Sequence, residues 1–93
     1  MKAVFNNKTI AESYDTVIVE NNHYFPISDV NMDYLKRTGT KSVCSWKGDA
    51  SYYDVVVNEK TAKDAAWEYQ EPKEKAQEIK GKIAFWNGVE VIE

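Results

Sequence analysis

The chain has 93 residues, 43% of them apolar and 29% charged, which fits one globular domain with one modest core. Twelve Lys and Arg stand against fifteen Asp and Glu, and the net charge of −3 argues against a nucleic-acid-binding surface. One cysteine and one histidine exclude an internal disulfide and a four-ligand Cys/His zinc site within one chain.

Met1-Lys2-Ala3-Val4-Phe5 runs into polar Asn6-Asn7-Lys8, so no hydrophobic leader core is read there. No apolar run approaches the roughly 20 residues of a membrane span. With a lone thiol, these features predict a cytoplasmic protein with no membrane partner. Val4-Phe5 and Thr9-Ile10-Ala11 flank Asn6-Asn7-Lys8 as a first hairpin. Thr16 to Glu20 is a β-branched strand, Asn21-Asn22 a turn, and His23-Tyr24-Phe25 the returning strand, closed by Pro26.

Residues 28–39 read as one short helix, with Ser28 or Asn31 as N-cap, Val30, Tyr34 and Leu35 inward, and Gly39 as the stop. Val43 to Trp46 is a strand, turned by Lys47-Gly48-Asp49. Ala50 to Asn58 is the longest strand, with Ser51, Tyr53, Val55 and Val57 on its core face. Residues 59–64 read as a polar connection, and Ala65 to Tyr69 as a strand with Trp67 and Tyr69 on one face.

Pro72 opens a second short helix, with Ala76 and Ile79 inward and Gly81 at its end. Lys82 to Trp86 and Val89 to Ile92 flank Asn87-Gly88, a strong short hairpin signal because both residues accept positive φ. The sum is a mainly β architecture of about eight short strands with one or two short helices, predominantly antiparallel.

The aromatic residues carry the functional signal. Trp46, Tyr52, Tyr53, Trp67, Tyr69, Phe85 and Trp86 all fall between residues 46 and 86. On strands, several such rings can converge into a box for a cation, a flat heterocycle or an apolar group, or they can simply fill a small core. The candidate ligand-binding set is Trp46, Lys47, Tyr52, Trp67, Tyr69 and Trp86, with Lys47 at the rim. Lys47-Gly48-Asp49 is more simply read as a plain hairpin turn with its charges facing water.

Cys44 is the one candidate nucleophile. It needs a neighbouring base or cation, such as His23 or Lys47, to become a thiolate; an inert strand cysteine is the simpler reading. No two acidic residues are separated by a single residue, so the alternating carboxylate pair of a magnesium-dependent nucleotidyl-transfer site is missing. Glycines 39, 48, 81 and 88 are each explained by a turn, and none builds a phosphate loop. No metal and no cofactor are expected.

Cys44-Ser45-Trp46-Lys47-Gly48-Asp49-Ala50-Ser51-Tyr52-Tyr53 resembles the domain of unknown function 427 family. Further marks follow in family order: Ile10-Ala11-Glu12-Ser13, Tyr24-Phe25-Pro26, Asp29-Val30, Ala65-Ala66-Trp67-Glu68-Tyr69 with Pro72, Ala76, Ile79-Lys80-Gly81-Lys82 and Ala84-Phe85. Ser45-Trp46 departs from the Pro-Tyr pair expected there. The resemblance implies a β-tent-like domain, two small antiparallel sheets meeting at an angle, spanning residues 1–93. It implies no established activity, and the residues lend no support to the nucleotidyltransferase label attached to the family. Relatives of the tent architecture include zinc-stapled modules, aromatic-cage binders and methionine sulfoxide reductases. The chain lacks the first group's paired cysteines.

Three functions follow as expectations. The first is a non-enzymatic module binding a small molecule or modified peptide through the aromatic set. The second is a Cys44-dependent enzyme or redox protein. The third is a structural domain that forms a homodimer through exposed strand edges.

Overall fold

The computed structural model describes residues 1–93. Nine strands make up most of the chain: β1 (Lys2–Phe5), β2 (Lys8–Glu12), β3 (Val17–Val19), β4 (Asn22–Pro26), β5 (Leu35–Cys44), β6 (Gly48–Val57), β7 (Lys60–Glu68), β8 (Lys82–Phe85) and β9 (Glu90–Ile92). They form a three-stranded sheet, β2-β1-β9, and a six-stranded sheet, β3-β4-β8-β7-β6-β5, with every pairing antiparallel. Neither sheet closes into a barrel. The expected mainly β, two-sheet antiparallel fold is present. Its helical content is confined to 3₁₀ turns at Ile27–Asp29, Met32–Tyr34 and Glu74–Ile79.

Asparagine sets the tight turns. Asn6 and Asn7 take φ of 50° and 63° between β1 and β2, the left-handed pair that matches the twist of a hairpin. Between β3 and β4 the positive φ values fall at Glu20 (53°) and Asn21 (66°). The turn therefore lies one residue earlier than its asparagine pair suggests, and Asn22 opens β4.

Residues 28–39 do not form the expected helix. Asn31 does cap a turn, accepting the Asp33 amide at 3.1 Å, but helical structure stops at Tyr34. Leu35 instead starts a ten-residue strand that pairs with β6. Arg37-Thr38-Gly39-Thr40 contains two β-branched residues and a glycine, poor helix formers, and an available partner strand decides their state. Gly39 lies where the β5–β6 register shifts, between Arg37 and Lys41, rather than at a helix end.

Three further expectations are corrected. Lys60 to Asp64 is strand, not connection: Lys60, Thr61 and Ala62 pair with Val57, Val56 and Val55, with Lys60 and Thr61 exposed and Ala62 buried in the core. The β5–β6 turn is Ser45-Trp46-Lys47, with Gly48 already in β6. Asn87-Gly88 does turn the chain, with φ of 50° and 107° and a Val89 amide bond to the Trp86 carbonyl at 3.1 Å. The strands it joins are not a hairpin, because β8 pairs with β4 and β7 whereas β9 pairs with β1.

Two packed clusters follow. The larger joins the sheets through Ala3, Ile10, Phe25, Val55, Ile83 and Val89, among others. The smaller holds Val19, Tyr24, Ala50, Trp67, Tyr69, Ala76, Ile79 and Ala84. Strand β6 feeds both: Tyr53, Val55 and Val57 enter the first, while Ala50 and Tyr52 pack in the second. The Glu74–Ile79 turn closes the second cluster with the two inward residues expected of it, Ala76 and Ile79.

Candidate functional site

The site is built around the β5–β6 turn. Its glycine is required: Gly48 has φ of +111°, and a Cβ there would lie 3.4 Å from the Glu71 carbonyl oxygen. Two bonds clamp the turn to the following segment. The Lys73 amide donates to the Lys47 carbonyl at 2.9 Å, and Lys73 Nζ donates to the Ser45 carbonyl at 2.9 Å.

Lys47 is thereby directed inward and is only 6% exposed. Its ammonium pairs with the Glu20 carboxylate and stands 5.5 Å from the ring centroids of both Trp46 and Tyr69. Burial works against this charge, but the Glu20 bond and the Tyr24 and Tyr69 phenols outweigh it and hold Lys47 above its ordinary pKa. The Lys47 bond in turn holds the half-exposed Glu20 below its ordinary value. Both directions favour the ionised pair.

The neighbouring rings are locked by their own polar atoms. Trp67 Nε1 donates to Tyr24 Oη at 3.2 Å, and the two rings meet edge to face at 6.2 Å. Trp86 meets Trp67 edge to face at 6.1 Å, and its Nε1 donates to the Asp64 carbonyl at 2.7 Å. Each such ring pair adds about 0.5–1.5 kcal/mol beyond its buried area. Asp64 has φ of 50° and lies where the β6–β7 register shifts. Its amide donates to Asp54 Oδ1, and its carboxylate accepts from Thr38 and Thr40, each at 2.8 Å. One irregular residue of β7 thus ties down β5, β6 and the Trp86 indole.

Asn22, Lys47, Tyr52, Trp67, Tyr69 and Trp86 surround a cleft of about 280 Å³. Of the six residues expected to form a ligand site, five line it. Trp46 is outside the lining, with its ring centroid 5.5 Å from the Lys47 ammonium. Asn22 escaped sequence reasoning because the turn was placed one residue late. Glu20 and Asp64 escaped it because their roles depend on contacts across the fold.

Cys44 is partly buried and packs against the second cluster. The His23 ring nitrogen Nδ1 shares a hydrogen with Thr16 Oγ1 at 3.1 Å, and no hydrogen bond joins it to the thiol. No three His, Cys, Asp or Glu side chains converge in a metal-binding group. No helix is long and apolar enough to cross a membrane.

These features define a small all-β domain of two antiparallel sheets linked only by turns and 3₁₀ segments. The chain belongs to the family described as "Domain of unknown function (DUF427)", whose model, NTP_transf_9, matches residues 1–93. No curated protein matches the sequence.

Proposed function

We propose that the protein is a cytoplasmic, non-enzymatic module that binds a small molecule or modified peptide side chain in the Lys47–Trp86 cleft. One observation carries this reading. Residues from β4, the β5–β6 turn, β6, the end of β7 and the end of β8 converge there. Both indole N–H groups are held by the protein, so Trp67 and Trp86 offer the cleft their ring surfaces. A volume of about 280 Å³ is near the lower end of small-ligand sites.

Native mass spectrometry of the protein isolated from its own host tests the reading. The expected result is a non-covalent adduct that disappears on denaturation and is lost in Trp86→Ala. Trp86 is 53% exposed, so its truncation spares the core. A clean apo mass, with tryptophan emission unmoved by a broad metabolite panel, overturns the reading.

A further inference from the structure

The hydrogen-bonding state of the cleft narrows the ligand class; this inference rests on the cleft being a binding site. An aromatic box ordinarily attracts cations. Here the protein's own ammonium already stands 5.5 Å from the Trp46 and Tyr69 rings and takes the place over them that a ligand cation would seek. Glu20 neutralises that ammonium, so the cleft has no uncompensated charge demanding an anion.

Unused hydrogen-bond donors remain. The Lys47 ammonium carries three protons and makes one bond, to Glu20. Tyr69 is only 5% exposed, yet its hydroxyl makes no hydrogen bond within the chain. No fully buried side-chain polar atom lacks a partner, so the Tyr69 hydroxyl reaches the cleft surface. Asn22 contributes an amide at the edge, held only by a long 3.4 Å bond to the Glu20 carbonyl.

We propose that the cleft selects a neutral planar ring bearing a carbonyl acceptor, stacked on one of the perpendicular Trp67 and Trp86 indoles and edge-on to the other, and hydrogen-bonded by Tyr69 and Lys47. The available volume suits one ring system with small substituents. A ring without an acceptor leaves the Tyr69 and Lys47 donors dry and unpaired, which is unfavourable.

Three probes of one ring size separate the contributions. Benzamide is neutral with a carbonyl, toluene is neutral without one, and nicotinamide methylated on its ring nitrogen is a cation with one. Each is titrated into the ¹⁵N-labelled full chain while the Trp67 and Trp86 indole N–H resonances are followed. Benzamide is expected to bind tightest, and Tyr69→Phe to weaken it about fivefold, the loss of one neutral hydrogen bond, while leaving toluene unchanged.

Cation binding equal to or tighter than benzamide overturns the proposal and leaves the cleft as a binding site. So does a Tyr69→Phe effect that is the same for benzamide and toluene. If no probe moves either indole resonance, the proposal fails, and the binding-site reading is decided separately by the native mass spectrum and the metabolite panel. The comparison of probes on the unmodified chain decides the matter even if Tyr69→Phe folds poorly.

Discussion

Lys47 and Glu20 are 27 residues apart in the chain, and their side chains bond across the two free edges of one sheet. Glu20 follows β3 and Lys47 follows β5, the outermost strands of the six-stranded sheet. Val17 and Val19 of β3 share a cluster with Ala50 of β6 and Cys44 of β5, and the turns that follow the two edge strands meet beside it. The ion pair fastens that approach beside the cleft.

The two partners are unequal, and the variants should show it. Lys47 is nearly buried, whereas the Glu20 side chain is half exposed. Glu20→Gln leaves an inward ammonium without its counter-ion and is expected to lower the denaturation midpoint. Lys47→Met keeps the apolar stem over Tyr69 and returns Glu20 to water, so its midpoint should fall less. Guanidinium titration of both variants checks the order. Because Glu20 titrates below its ordinary 4.5 in the fold, its contribution is present above that pH and lost as pH falls through the lowered value. The wild-type acid limb should therefore be steeper than that of Glu20→Gln.

The alkaline side is governed in part by Tyr53. Burial raises its pKa, and the hydrogen bond and charge of buried Glu68 push it further, to about 12. The fold requires the neutral phenol. That contribution is complete below pH 10 and is lost as pH rises toward about 12. Tyr53→Phe removes the donor from Glu68 and is expected to cost about 1–3 kcal/mol at neutral pH. It should also flatten the decline above pH 10, measured by denaturant titration at several alkaline pH values.

Asp64 is expected to control both strand β5 and the Trp86 ring. Asp64→Ala loses the Thr38 and Thr40 bonds and places alanine at a φ of 50°. The expected cost is about 1–3 kcal/mol, with faster amide exchange across Thr38 to Thr40 and a shift in Trp86 emission. Asn tolerates the left-handed region, so Asp64→Asn should recover part of the loss. Equal costs for the two variants would assign the effect to the carboxylate alone.

Ile79 supports the cluster that holds Trp67 and Tyr69, and it is completely buried. Ile79→Ala is expected to destabilise the protein by about 2–5 kcal/mol, the range for large-to-small changes in a core. A denaturation midpoint within error of wild type would show that the Glu74–Ile79 turn contributes little to the fold.

Much of the architecture was legible locally. The β-branched run at Val17 to Val19 and the core face Ser51, Tyr53, Val55 and Val57 follow from side-chain alternation, which needs no distant partner. The inward pair Ala76 and Ile79 follows from helical spacing in the same way. Asn6-Asn7 and Asn87-Gly88 turn where expected because their preference for positive φ is intrinsic. The concentration of rings between Trp46 and Trp86 was also plain in the chain, and with it five of the six residues that line the cleft.

Tertiary structure decided the rest. Leu35 to Cys44 became strand because β6 offers ten residues of backbone to pair with, which outweighs a single capping signal at Asn31. Asn87-Gly88 joins two sheets rather than two paired strands because β4, β7 and β1 provide the hydrogen bonds that β8 and β9 accept. Lys47 looked like a rim residue on a solvated turn. It lies inward because the fold brings the turn after β3, with Glu20, to it and Gly48 lets the turn close against Glu71 and Lys73. Alternation and turn preference act over a few residues and are carried by sequence; sheet membership and charge pairing depend on which backbone edges meet, and only the folded chain determines that.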